Sequence, residues 1–325
     1  MTEITFRQAL QRGLREALDA DPNVFLMGED IGKYDGAYAV TQGLLEKYGP
    51  DRVRDTPISE AAFVGAGVGA AVAGLRPVVE LMSMSFSLVA SDQIVNMAAK
   101  IRYMSGGQVK VPMVLRAPTG GGVQLAATHS QSFENWYASV PGLKVVTPST
   151  PYDALGLLRS SIEDDNPVIF AENALLYATK GEVPDEEYRV PIGVADVKRT
   201  GTDITLVGWA HGIVTLLAAA DKLAETGVSA EVIDLRSLRP LDMDTVIESV
   251  EKTGRALVLD ENWRTGGFGA ELAAEIGYRS SDYLDGPVAR VGGTDTPSPY
   301  TRPLEQLGIP QIQWVIDEIE KTYGL

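Results

Sequence analysis

A carboxylate at position 60 and a histidine at position 129 are the residues whose placement could support proton chemistry. The segment Asp55-Thr56-Pro57-Ile58-Ser59-Glu60 runs into Ala61-Ala62-Phe63-Val64, which puts Glu60 in the first turn of a glycine-rich, apolar helix. The helix dipole alone favours an acid there. The apolar residues that follow also predict poor hydration. Desolvation raises a carboxyl pKa and suits proton exchange with a ligand nitrogen near neutral pH. Taken by itself, Glu60 fits either role. His129 lies in Ala126-Ala127-Thr128-His129-Ser130-Gln131, at the end of the glycine-rich loop Pro118–His129. Gly120, Gly121 and Gly122 permit close backbone approach to a ligand. Loops carry function disproportionately, so this histidine is either a structural residue or one that faces a substrate.

Weaker signals accompany these two. Phe86, in Ser85-Phe86-Ser87, sits at a strand-to-helix junction, where its ring joins the core or stacks on a planar ligand. Glu163-Asp164-Asp165-Asn166-Pro167 is an oxygen-rich turn, either solvated or able to hold a hard cation. Gly266-Gly267-Phe268-Gly269 follows a strand and precedes a helix as a phosphate-cradling turn would, without the fuller GxGxxG spacing. The other histidine, His211, also follows a strand and is expected to help cap the next helix.

The elements that must hold these residues alternate. Phe6, Ala9, Leu10, Leu14, Ala17 and Leu18 recur at helical spacing. Val24–Met27 reads as a buried strand leading to Gly28-Glu29-Asp30, and a short helix is expected near Thr41–Tyr48. Ser59 is the expected N-cap of the next helix, whose Gly65 and Gly69 predict a tight helix–helix contact. Arg76–Met82 reads as a strand, Phe86–Met104 as one long helix, Val111–Ala117 as a strand. Leu143–Thr147, Pro151–Ile162 and Pro167–Glu172 continue the pattern as strand, helix and strand. Residues 181–200 are polar, acidic and proline-bearing, and read as a linker. Alternation then resumes to the helix Gln311–Lys321. The expected fold is α/β with two doubly wound domains, over 1–180 and 201–325.

Bulk properties narrow the function. Asp and Glu outnumber Lys and Arg by 44 to 28, a net charge of −16, which argues against a nucleic-acid partner. The absence of cysteine excludes disulfides and Cys-type zinc sites, and fits a reducing cytoplasm. The start MTEITFRQAL lacks a signal-peptide pattern, and no apolar run is long enough to cross a membrane.

Together these segments resemble the β subunits of the thiamine-diphosphate-dependent decarboxylating component of 2-oxo acid dehydrogenase complexes. The resemblance runs nearly end to end. Its most specific stretches are Gly28-Glu29-Asp30, Asp55–Glu60, Ala71–Glu80, Phe86–Asn96, Tyr103–Gly107, His129–Gln131, Pro141–Val146, Asp165–Val168 and Val232–Met243. It implies an N-terminal pyrimidine-binding domain, a C-terminal transketolase-type domain, and an α2β2 heterotetramer with thiamine diphosphate held between chains. The usual Gly-Asp-Gly magnesium-diphosphate signature is missing here, which fits a β subunit whose α partner grips Mg2+ and the diphosphate.

By the resemblance, Glu60 hydrogen-bonds N1′ of the aminopyrimidine and favours the imino tautomer that removes the C2 proton, the cofactor carrying the carbanion chemistry. Phe86 packs on the pyrimidine, Ile58 lines the same pocket, and Glu29 is a second carboxylate near the cofactor. His129 orients the 2-oxo acid and assists proton transfer to a lipoyl group on a dihydrolipoamide acyltransferase core. A structural potassium site is implied at Met113, Ser161, Ile162, Asp164 and Asn166, mostly through backbone carbonyls. The Phe86 and Tyr103 stretches are more similar to pyruvate-type subunits than to branched-chain ones. Thr128 departs from the glutamine or glutamate that pyruvate-type subunits often carry there. A branched-chain 2-oxo acid or acetoin dehydrogenase, a split transketolase, or a non-catalytic nucleotide-binding subunit are the alternatives.

Overall fold

The structure, a computed structural model, describes residues 1–325. The chain divides into two compact units. One comprises Met1–Thr119 with Trp136–Ile192, the other Gly120–Asn135 with Gly193–Leu325.

The first unit is built on a parallel sheet. Its strands are β2 (Val24–Glu29), β3 (Val53–Thr56), β4 (Arg76–Glu80), β5 (Val114–Thr119), β6 (Lys144–Val146) and β7 (Val168–Asn173), in spatial order β6-β7-β5-β4-β2-β3. Parallel strands covered on both faces read as continuous apolar runs; β2 is buried at all but one position and β5 at every one. The helix Phe6–Ala20 starts with a capping box in which Thr5 and Gln8 satisfy each other's backbone N–H groups. Its apolar face packs on the helix Pro151–Glu163. A Cβ at Gly13 would lie 2.9 Å from Leu158 Cδ2, so glycine sets how closely the helices approach.

Several expectations change at this level. The predicted helix Phe86–Met104 begins later, at Ser91, after a 3₁₀ turn (Met84–Leu88), and runs unbroken to Met104 through a π-helical stretch (Gln93–Ala98) into an α-helical end (Ala99–Met104). The cause is local: Ser83 Oγ accepts the Ser85 N–H, and Ser87 Oγ donates to the Met84 carbonyl. Side-chain bonds of this kind compete with a regular helix. In the helix Glu60–Val72, close packing falls on Gly67, whose Cβ would sit 2.7 Å from Val79 Cγ2 of β4, while Gly69 has nothing within 4 Å. Gly67 therefore lets the helix approach the sheet, while Gly65, whose Cβ would lie 3.2 Å from Gln93 Cγ of the π-helix, makes the expected helix–helix contact without Gly69. The predicted linker is structured at both ends. Lys180–Val183 (β8) pairs antiparallel with Thr2–Thr5 (β1), and Asp196–Arg199 (β9) joins the second unit's sheet.

The second unit has a mixed sheet between helices. Its strands β10 (Ile204–Gly208), β11 (Ala230–Asp234), β13 (Ala256–Trp263) and β14 (Ala289–Gly293) are parallel, in the order β14-β13-β10-β11-β9, with β9 antiparallel at the edge. A short strand, β12 (Ser237–Arg239), follows β11. Helices Gly212–Glu225 and Ile312–Tyr323 share an apolar core with the sheet.

Candidate active site

The strand order of the first unit marks where a ligand should sit. From β2 the chain moves to β3 on one side and then to β4 on the other, so the order reverses at β2. Open α/β sheets bind ligands in the crevice at the carboxyl ends of strands at such a reversal. Glu29 is the last residue of β2, and Glu60 opens the helix that follows β3. They are 4% and 5% exposed, so both carboxyls are removed from bulk water.

Their burial has an electrostatic consequence. Burial, then the charge of neighbouring Glu60, pushes the Glu29 carboxyl up to about 7. The Met82 N–H opposes this by bonding the ionised form. Like-charged carboxyls this close favour a state in which one holds a proton. Buried polar atoms on the surrounding segments, Glu29 Oε1, Thr56 Oγ1 and Ser85 Oγ, lack a partner within the chain. They fit a polar ligand such as an aminopyrimidine, which both donates and accepts. Asp55 ties the segments together, accepting N–H bonds from Gly32 (2.6 Å) and Lys33 (3.0 Å) in the loop after Glu29.

Phe86 is half-buried in the 3₁₀ turn beside Ser85, and Ile58 is 82% exposed, just ahead of Glu60. Ser59 holds the N-cap position, but its hydroxyl donates to the Pro57 carbonyl instead of capping. The structure thus brings Glu29 and Glu60 together and sets Ile58 and Phe86 on the adjoining segments. His129 falls in the second unit, exposed on its loop, with Thr128 Oγ1 3.0 Å from its Nδ1.

Along the chain, residues 2–180 match the transketolase pyrimidine-binding domain family and residues 193–315 the transketolase C-terminal domain family. The Arabidopsis thaliana pyruvate dehydrogenase E1 component subunit beta-1, mitochondrial, is 51% identical over 97% of this chain and 88% of its own. The Rickettsia bellii E1 subunit beta is 48% identical, with 98% of each chain covered. The chain belongs to the pyruvate dehydrogenase E1 β-subunit family. A solved split-gene transketolase, described as an inactive β4 tetramer, superposes with a TM-score of 0.79 over 99% of both chains at 23% identity, which shows the shared fold.

Elsewhere in this β subunit the weaker signals resolve differently. The Gly266–Gly269 turn is not open to a phosphate. The Gly269 N–H donates to Asp260 Oδ2 at 2.9 Å, and a Cβ at Gly267 would lie 2.5 Å from that same oxygen. The chain's own carboxylate occupies the cradle, and burial pushes it up to about 6. His211 takes the N-cap position of helix Gly212–Glu225 without a side-chain cap; its Nδ1 pairs with Glu261 Oε1 at 2.8 Å. Burial lowers the affinity of this imidazole for its proton, and the hydrogen bond to Glu261 together with that residue's charge outweighs it, leaving the pKa raised.

The five positions expected at a potassium site gather at the end of helix Pro151–Glu163 and the starts of β5 and β7. Arg76 Nη1 donates to the carbonyls of Ile162 (2.9 Å) and Asp164 (3.3 Å), and the Met113 carbonyl accepts the Val168 N–H. Arg102 Nη1 reaches Asn166 Oδ1 at 2.5 Å, and Ser161 Oγ donates to Leu157. A guanidinium therefore already supplies positive charge to two of these carbonyls.

Sequence reasoning missed a buried ion cluster across three adjacent strands. Arg116 on β5, 2% exposed, makes a bidentate pair with Glu172 of β7 (2.7 and 2.9 Å) and reaches Glu80 of β4 at 2.5 Å. Tyr177 donates its hydroxyl to Glu172 at 2.8 Å. The available signal was an ionisable side chain at Glu80, Arg116 and Glu172 in three largely apolar strands.

Proposed function

We propose that this β subunit, assembled with an α subunit as an α2β2 heterotetramer, catalyses decarboxylation of pyruvate and passes the acyl unit to a lipoyl group on an acyltransferase core. The lipoyl disulfide accepts the electron pair as the acyl carbon is oxidised. The observation that carries the proposal is the buried pair of Glu29 and Glu60 at the sheet's reversal point. A protein that merely bound nucleotide would have no use for two sheltered carboxyls, one of them titrating near neutrality.

Bound thiamine diphosphate supplies the carbanion chemistry by which a 2-oxo acid loses carbon dioxide. Glu60 shares a proton with a ring nitrogen of the aminopyrimidine. Glu29, its carboxyl pushed up to about 7, exchanges a proton around neutral pH beside Glu60, and its protonated form limits repulsion between the two. Phe86 and Ile58 offer apolar surface to the ring. His129 orients the substrate carboxylate and moves a proton during acyl transfer. This chain has no magnesium-diphosphate signature, so the α subunit is assigned Mg2+ and the diphosphate. A potassium ion at the Asp164–Asn166 turn would share carbonyls with Arg76. No helix is long and apolar enough to cross a membrane, and the cysteine-free composition supports assignment to the cytoplasm.

The test is an assay of the enzyme reconstituted with its α partner, using an artificial electron acceptor. Pyruvate, branched-chain 2-oxo acids, acetoin and a ketose phosphate are compared. Pyruvate should give the highest kcat/KM, and Glu60→Gln should lower kcat by at least about a hundredfold with folding and assembly unchanged. Near-normal turnover in that variant, or preference for acetoin or a ketose phosphate, would refute the assignment.

A further inference from the structure

We propose that Glu305 and Asn262, both in the C-terminal sequence domain, are positioning residues for His129. This rests on the reading of His129 as the substrate-facing histidine and extends it to residues outside the pyrimidine-binding domain. Residues Gly120–Asn135 lie within the first family match, residues 2–180, yet they pack as part of the second compact unit. The side chains that hold them there are specific.

Glu305, on the short helix Arg302–Gln306, is 1% exposed. Its Oε1 accepts the Gly122 N–H at 2.9 Å, and the Gln124 N–H is shared between Oε1 (3.2 Å) and Oε2 (3.1 Å). Desolvating a carboxylate is costly, and backbone amides aimed at both oxygens offset that cost. On the far side of His129, Asn262 donates through Nδ2 to the Ser132 carbonyl at 2.8 Å and is 5% exposed. Its own orientation is fixed by the Trp263 N–H on its Oδ1 (2.7 Å) and by Asp260 Oδ1 on its backbone N–H (2.9 Å). The histidine therefore sits on a span clamped at both ends by buried polar side chains.

The backbone between the clamps needs such restraint. Gln124 and Ala126 hold φ of 59° and 63°, left-handed values that non-glycine residues adopt only when their surroundings impose them. Ala126 is the residue whose carbonyl accepts the His129 N–H, at 3.3 Å. A carboxylate that fixes the Gln124 amide therefore acts through this turn on the histidine's backbone. Displacing a reacting group by about 1 Å can cost about a hundredfold in rate.

The experiment uses the enzyme assembled with its α partner and the variants Glu305→Ala, Glu305→Gln, Asn262→Ala and His129→Ala. Three quantities are read: steady-state kinetics with pyruvate, thiamine diphosphate affinity by fluorescence quenching, and hydrogen exchange of amides in residues 120–132. Glu305→Ala should lower kcat/KM by about ten- to a hundredfold. Cofactor affinity should stay within about twofold, since Glu29 and Glu60 are untouched. Faster exchange should be confined to the loop. Glu305→Gln should recover part of the loss, because its one carbonyl oxygen still accepts an N–H. Asn262→Ala should act in the same direction and keeps the test open if Glu305→Ala does not fold. Turnover unchanged in Glu305→Ala and Asn262→Ala while His129→Ala is inactive would overturn the positioning role alone. Full activity in His129→Ala would overturn the underlying reading and the inference with it. Equal losses of cofactor affinity and turnover, with Gln no better than Ala, would reduce Glu305 to a folding residue and reject the proposal.

Discussion

Glu29→Gln should make the protein more stable at alkaline pH and leave its stability little changed at acid pH. The folded-state pKa of Glu29 is about 7, against an ordinary value of 4.5. Between those values the folded chain holds a proton that the unfolded chain has released. Stability therefore falls as pH rises through that window. A rise from 4.5 to about 7 is equivalent to about 3 kcal/mol. That cost is absent below pH 4.5 and complete above pH 7. Glutamine keeps an oxygen for the Met82 N–H and cannot ionise, so the variant escapes the cost. For a chain of 325 residues, about 3 kcal/mol corresponds to a Tm change on the order of 5 °C. Calorimetry of the cofactor-free protein from pH 5 to 8.5 measures the difference directly. The curves of wild type and Glu29→Gln should converge at the acid end and separate as pH rises, the variant lying higher. Parallel curves would show that Glu29 does not titrate in this window and would remove the argument for a proton held beside Glu60.

Two other perturbations test the surrounding frame. Arg116→Met leaves Glu80 and Glu172 facing each other in the sheet and should cost about 3–5 kcal/mol in urea unfolding; adding Glu80→Gln and Glu172→Gln should restore much of it, and no restoration would mean the loss came from packing. If potassium binds at the Asp164–Asn166 turn, replacing Na+ with K+ should raise Tm in a saturable way, and Arg76→Ala should alter that response; identical Tm values in the two salts would rule the site out.

Part of the candidate site could be read along the chain because the burial of Glu60 has local determinants. Glu60 begins an apolar helix a few residues after a strand, and those neighbours alone foretell its burial. The partnership with Glu29 was not visible in this way. It depends on β2 lying between β3 and β4, which no stretch of neighbouring residues encodes. The glycine turn at Gly266–Gly269 misled for a related reason: its pattern predicts a cradle, while Asp260, several residues away, fills it. The helix expected from Phe86 to Met104 starts only at Ser91, because the serines before it bond the backbone with their hydroxyls in place of a first turn.

What the sequence by itself determined was the alternation of elements, the two α/β domains and the chemistry available at positions 60 and 129. Apolar periodicity acts between residues a few positions apart, so it survives without knowledge of the rest of the chain. Tertiary structure alone decided which charges meet: Glu29 with Glu60, Arg116 with Glu80 and Glu172, and Glu305 with the amides of the histidine loop. Electrostatic partners act through space over a few ångströms, and strand order, not separation along the chain, sets which groups come that close.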